Sequence, residues 1–234
     1  MKLTGETNVP ELRTAQIRGH ALMKRPRILL ADDHRLVVEA LQHLLEPEFD
    51  VVGMASDGRA LLQMASELKP DLAVVDIGMP LLNGLDAGEQ IRASHPNIKI
   101  IFVTQNRDPI CAAEALRRKA SGYLLKDAAA SELSIAIREA LRGKCYISPS
   151  IAKEMFNRGL YPHQGTKKLP ELRPREREVL QLLAEGRSLK ETAGILNISP
   201  KTVEFHKYRM MDSLGLTTTA ELIQYAVKKG LVVP

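Results

Sequence analysis

Three aspartates, a threonine and a lysine stand directly after short apolar runs of this 234-residue chain. Asp32 and Asp33 follow Arg27–Ala31, Asp76 follows Leu72–Val75, Thr104 follows residues 98–103, and Lys126 follows Gly122–Leu125. If those runs are strands of one parallel sheet, the five side chains gather at a single edge, where open α/β sheets place their ligands. Three carboxylates in one pocket repel, and something must neutralise them. A hard divalent ion does so: Mg²⁺ takes oxygen ligands, keeps several waters and pairs with phosphoryl oxygens. A single Asp after a strand is an ordinary turn residue. Turn preference does not account for polar residues closing four strands at one edge.

The elements that must position these residues are legible as two alternating patterns. The four runs above, together with Asp50–Ala55, are short and rich in Val, Ile and Leu, as strands buried on both faces are. Between them lie stretches with 3.6-residue spacing, such as Leu36, Val37, Ala40, Leu41, Leu44 and Leu45, and Leu133, Ala136, Ile137 and Ala140. Five strands alternating with five helices predict an α/β domain built on a doubly wound, five-stranded parallel sheet over residues 25–142. Residues 171–234 contain no strand-like run. They predict an all-α unit of four helices at about 174–185, 188–195, 199–213 and 218–229, punctuated by Gly186, Asn197–Pro200, Gly215 and Gly230. Ser188 and Ser199 are the expected N-caps, with a capping box at Ser188 and Glu191 only. The intervening 143–170, with Pro149, Pro162, Gly159, Gly165, Pro170 and Lys167–Lys168, reads as a linker with a short helix near 149–157.

The net charge of +5 is an average over unlike parts. Residues 1–24 carry +2, residues 25–142 carry −3, residues 143–170 carry +4 and residues 171–234 carry +2. An acidic block, a basic stretch and a mildly basic block suggest two domains and a linker. Two cysteines exclude a disulfide scaffold, and neither belongs to a metal-binding pair. No apolar run approaches the ~18 residues of a membrane span, and the first twenty-four residues do not read as a secretory signal. A reducing cytoplasm is the expected location. The 1–24 extension is either a flexible arm or lies upstream of a start at Met23.

The segments ILLADDH, VVDIGMP, VT and YLLKD resemble the receiver domain of two-component response regulators, over about 25–142. The resemblance implies a flavodoxin-like fold in which Asp76 takes a phosphoryl group from a sensor histidine kinase. It implies that Asp33, Asp76 and the backbone carbonyl of Gly78 bind Mg²⁺, with Asp32 contributing mostly through water. Lys126 would pair with the phosphoryl oxygens, Thr104 would bond to them after modification, and Tyr123 would swing inward behind it. Two positions depart from the pattern. Gln105 stands where a smaller residue is usual, and Gly78 offers no side chain to position an attacking water. Both lead us to expect slow self-dephosphorylation.

The segment LRPREREVLQLLAEGRSLKETAGILNISPKTVEFHKYRMMDSLGL resembles the LuxR-type helix-turn-helix of response regulators of the NarL/FixJ group, over about 172–231. Its second helix would enter the major groove. Lys201, Glu204, Phe205 and Tyr208 recur at i, i+3, i+4 and i+7 and share one face of that helix. By the resemblance Glu204, Phe205 and Tyr208 face the bases, and Glu can accept from cytosine N4 while Phe can touch a thymine methyl. Lys201, Thr202, His206, Lys207 and Arg209 are candidates for phosphate contacts, which position without reading sequence. Val203, Met210 and Leu214 are expected in the core. The last helix, with Leu222, Ile223, Ala226 and Val227, is implied to form the dimer contact.

The expected function is a phosphorylation-dependent transcription regulator that binds double-stranded DNA as a dimer, its receiver covering the recognition helix or the dimer face at rest. Two alternatives stand beside it. A receiver acting by protein interaction alone would not need the acid residues, Thr104 and Lys126 together. An enzyme with an aspartyl-phosphate intermediate would need a second acid two residues past Asp76, where this chain has Gly78; the chain is not expected to be an enzyme.

Overall fold

The computed structural model describes residues 25–160, 172–228 and 230–232. The expectations about residues 1–24 and about Lys167–Lys168 lie outside the described residues.

The first part alternates β1 Arg27–Ala31, α1 Arg35–Leu45, β2 Asp50–Ala55, α2 Gly58–Leu68, β3 Leu72–Val75, α3 Gly84–Ser94, β4 Lys99–Thr104, α4 Pro109–Arg117, β5 Gly122–Leu125 and α5 Ala129–Leu141, with one 3-10 turn at Lys126–Ala128. The strands lie in the order β2-β1-β3-β4-β5 and pair in parallel. Period-two alternation splits their side chains between two cores. Leu29, Ala73, Val75, Ile100 and Phe102 meet Leu61, Ala65, Ala87, Ile91 and Ala115 of α2, α3 and α4 on one face. Ile28, Leu30, Val74, Ile101 and Val103 meet Val38, Leu41, Leu133 and Ile137 of α1 and α5 on the other. Burial on both faces is why these strands carry apolar runs rather than alternation.

Five strands are expected from the apolar runs, but the sheet has six. β6, Tyr146–Ile147, pairs in parallel with β5 through Gly122↔Tyr146 and Tyr123↔Ile147. Two residues are too short to stand out as an apolar run. Ser148 then ends the strand and Pro149 opens α6, Pro149–Asn157, at the first helical position that Pro favours. The start of the expected linker is therefore packed structure. Ile151 and Met155 of α6 are buried in the same cluster as Tyr123 and Ala112.

The second part is α7 Pro174–Ala184, α8 Leu189–Leu196, α9 Pro200–Leu214 and α10 Thr219–Lys228. Ser188 and Glu191 form the capping box, the Ser188 hydroxyl accepting from Glu191 N and Glu191 accepting from Ser188 N. Asn197 ends α8 and Gly215 ends α9 in the left-handed conformation that closes a helix. The four helices enclose their own core of Val179, Leu180, Leu182, Ala193, Val203, Met210, Leu222 and Ala226. Leu214, expected in that core, is half-buried at its rim, and Met211 is buried instead.

Candidate functional site

The carboxyl ends of β1, β3, β4 and β5 carry the expected polar residues. Asp32 and Asp76 are buried and Asp33 is exposed. Lys126 Nζ lies 2.6 Å from Asp32 Oδ2 and 2.8 Å from Asp76 Oδ2. His34 Nδ1 lies 3.1 Å from Asp32 Oδ1 and 2.8 Å from Asp33 Oδ1. Oxygens of the three aspartates and the His34 nitrogen all fall within 4.8 Å of one another. One ammonium does not balance three carboxylates so close together. Burial pushes Asp76 above its ordinary carboxylate value; Lys126 pulls it back, Asp32 pushes it further up, and the Gly78 N–H helps to hold the anion. Burial opposes the charge on Lys126, but its bonds to Asp32 and Asp76 win and raise it. Such an excess of acceptor oxygens fits a hard divalent cation, and Asp33, Asp76 and Asp32 are the side chains that could hold Mg²⁺.

Backbone packing fixes Asp76. Its N–H donates to Ala31 O at 2.8 Å, tying β3 to β1 beside Asp32. Gly84, the first residue of α3, sits so close that a Cβ there would lie 2.0 Å from the Asp76 carbonyl oxygen. Asn83 caps α3, its Oδ1 accepting from Asp86 N at 3.0 Å.

Thr104 is buried, and its hydroxyl accepts from Asn106 N at 3.2 Å. Gln105 is exposed and does not crowd the pocket. Tyr123 is fully buried, and its hydroxyl donates to Asn106 O at 2.9 Å. Burial, with the neighbouring Cys111 thiol, drives this phenol far above its ordinary value. The tyrosine is inward here, inside the cluster that α6 helps to close. Thr104 and Tyr123 meet at Asn106, one through its N–H and the other through its C=O. Neither sequence spacing nor residue type singles that residue out.

On α9 the expected face is real. Lys201 and Glu204 are exposed, Phe205 is 59% exposed and Tyr208 is 56% exposed, while Val203 and Met210 behind them are fully buried. Apolar rings so open on a well-packed domain mark a contact surface. The ammonium of Lys207 lies 5.2 Å from the Tyr208 ring centroid. Two of the expected phosphate-contact residues already have partners within the domain, and a third is turned toward its interior. Thr202 Oγ1 is 2.8 Å from Ser199 Oγ at the helix cap. Arg209 Nε reaches Glu176 Oε1 of α7 at 3.5 Å. His206 is half-buried with Nδ1 unpaired in the interior. Burial lowers its pKa; Glu176 opposes that, and Arg175 and Arg209 reinforce it.

Residues 28–138 match the family model for the response regulator receiver domain, and residues 170–226 match that for bacterial regulatory proteins of the luxR family. The chain is 33% identical to the response regulator GacA of Pseudomonas aeruginosa, over 88% of this chain and 97% of the relative. The chain belongs to the response regulators. This regulator is also 36% identical to the oxygen regulatory protein NreC of Staphylococcus aureus, over 88% of its own length and 99% of the relative. Among solved structures it resembles the RcsB response regulator of Salmonella typhimurium, with TM-score 0.60, 28% identity, and coverage of 87% of this chain and 97% of that one. A structure of two RcsB dimers bound to two parallel DNAs superposes with TM-score 0.54 at 29% identity, covering 86% of the regulator and 97% of RcsB. The regulator therefore combines a receiver domain with a LuxR-type DNA-binding domain. Among the described residues no helix is long and apolar enough to cross a membrane.

Sequence reasoning missed a second set of residues, which joins the two domains. Gln181 of α7 is buried against the loop that follows Asp76, and Arg177 pairs with Asp86 and Glu89 of α3. A signal was available: Gln181 interrupts the apolar run VLQLL, where an unpartnered amide would be costly. The receiver leaves the outer face of α9 open, so the expected masking is absent in this arrangement; of the expected dimer contact on α10, Leu222 and Ala226 are instead buried in the helical domain's own core, and Val227 is exposed. The receiver engages α7 instead.

Proposed function

We propose that this response regulator is switched by phosphoryl transfer to Asp76 from a sensor histidine kinase and binds operator DNA as a homodimer. The observation that carries this reading is the buried Asp76 carboxylate held 2.8 Å from Lys126 at the carboxyl edge of the sheet. An Asp76 oxygen attacks phosphorus in line, the P–N bond to the kinase histidine breaks, and an acyl phosphate forms. Bound Mg²⁺ would supply charge neutralisation to the phosphoryl oxygens, held by Asp33, Asp76 and the Gly78 carbonyl, with Asp32 acting mostly through water. Lys126 stays cationic and spreads the transition-state charge from the opposite side. The product adds about two negative charges and three strong acceptors at one point. The Thr104 hydroxyl then exchanges Asn106 N for a phosphoryl oxygen, which frees the β4–α4 loop that Tyr123 grips through Asn106 O.

In this reading residues 25–142 receive the signal and 171–234 deliver it in the cytoplasm, where the DNA is. Glu204, Phe205 and Tyr208 read bases, Lys201 and Lys207 contact phosphates, and α10 pairs the two subunits. Thr202, His206 and Arg209 position α9 from behind as much as they meet the backbone of DNA. Asp76→Ala tests the reading: it should abolish the gain in operator binding that acetyl phosphate gives the wild type. An unchanged gain in the variant would refute it.

A further inference from the structure

The receiver grips the DNA-binding domain by one helix, and that helix does not carry the exposed reading face. Gln181 Nε2 donates to Met79 O at 3.0 Å, and Gln181 Oε1 accepts from Asn83 N at 2.7 Å. Glu185 accepts from Leu81 N at 3.0 Å. Arg177 binds Asp86 at 2.7 Å and Glu89 at 3.0 Å. Leu81 packs against the core of the helical domain while holding a φ of 64° at the centre of a tight turn, Leu82 N to Pro80 O at 2.8 Å. A left-handed leucine is strained, and docking onto α7 offsets that strain by covering its side chain. The contact is polar and specific, and Glu178 of α7 adds Arg59 of α2 at 3.1 Å and Gln90 of α3 at 2.9 Å to it.

Nothing in this contact uses α9. Lys201, Glu204, Phe205 and Tyr208 remain exposed while α7 is held. If DNA binding required release of α7, the apparent affinity would fall by the fraction of molecules released. With the reading face already open, that reduction does not arise. We propose that the docked form is itself a DNA-binding form: the receiver holds α7 and leaves α9 free to occupy one half-site of double-stranded DNA. Release of α7 is then not required for access to DNA. The inference rests on the DNA-binding part of the proposed function and not on phosphorylation.

The test compares three unphosphorylated full-length proteins. One is the wild type. The second is unlatched on the helical side by Arg177→Ala, Glu178→Ala, Gln181→Ala and Glu185→Ala. The third is loosened on the receiver side by Arg59→Ala, Leu81→Gly, Glu89→Ala and Gln90→Ala, which removes the receiver partners of Glu178, leaves the DNA-binding domain unaltered and relaxes the strained turn. The probe is a single-site duplex enriched from random-sequence DNA by the wild-type chain. Small-angle scattering should give a larger radius for both variants, and all three proteins should bind the duplex within about twofold of one another. Binding tighter by about tenfold in either unlatched protein would overturn the proposal, as would variants that stay as compact as the wild type. If the wild type enriches nothing while a variant does, the docked form is silent on DNA and the proposal falls while the functional reading stands. If no protein enriches a duplex, the DNA-binding reading falls with it.

Discussion

The Nζ of Lys126 lies 2.8 Å from Oδ2 of Asp76, yet the buried carboxyl still titrates above its ordinary range. Burial and the negative charge of Asp32 outweigh the lysine. Asp76 therefore holds its proton more tightly folded than unfolded. Between the ordinary value of 3.8 and the raised one the native state binds more protons, so its stability falls as pH rises through that window. At neutral pH the ionised group destabilises the fold. Asp76→Asn should raise the melting temperature in EDTA at pH 7. Mg²⁺ should raise that of the wild type by more than that of the variant. A variant that melts below the wild type in EDTA contradicts this account of the pocket.

Gly84 has no room for a side chain. The Cβ of Gly84→Ala would meet the Asp76 carbonyl at 2.0 Å, and both atoms belong to backbone. Either α3 or the end of β3 must shift, at a typical cost of about 1–3 kcal/mol. Thermal unfolding should show that loss, and labelling by acetyl phosphate should slow in the folded variant. Unaltered stability and labelling would mean that the close approach is not needed.

The exposed face of α9 separates reading from folding. Phe205→Ala and Tyr208→Ala touch no core and should change stability by less than about 0.5 kcal/mol. Both should weaken binding to a selected operator far more than to random DNA. Lys201→Ala should weaken binding to both alike and lower the slope of log K against log salt by about one unit. Equal losses on operator and random DNA for Phe205→Ala and Tyr208→Ala would remove these rings from base recognition.

His206 gives the DNA-binding domain a pH dependence of predictable sign. Burial lowers its pKa below the ordinary 6.5, so the unfolded chain binds the proton more readily than the folded domain. Stability is complete above about 6.5 and declines as pH falls through the lowered value. His206→Gln should flatten that decline between pH 7 and pH 5 in thermal melts. A wild-type domain that gains stability on acidification would contradict the buried, neutral imidazole.

The acid pocket was legible because each chemical residue follows an apolar run, and burial on both faces writes such runs plainly. β6 was not legible, because two residues on an edge strand leave no pattern. Tyr123 was placed correctly on its strand, but its inward position was not legible, since α6 packs into the same core from a segment that reads as linker. His206 and Arg209 follow the exposed residues of α9 so closely that their turn toward Glu176 is visible only once α7 and α9 are packed. Gln181 marks itself by breaking the run VLQLL, but its partner Asn83 and the Leu81 turn lie about a hundred positions away, and no local spacing encodes that contact.

The most direct test of the central claim is the mass of the intact protein after incubation with acetyl phosphate and Mg²⁺. Wild-type protein should gain one phosphoryl group, labile to hydroxylamine as an acyl phosphate is. The gain should vanish in EDTA and in Asp76→Ala. A phosphoryl group that persists in Asp76→Ala, or a wild type that takes none with Mg²⁺ present, would contradict the account.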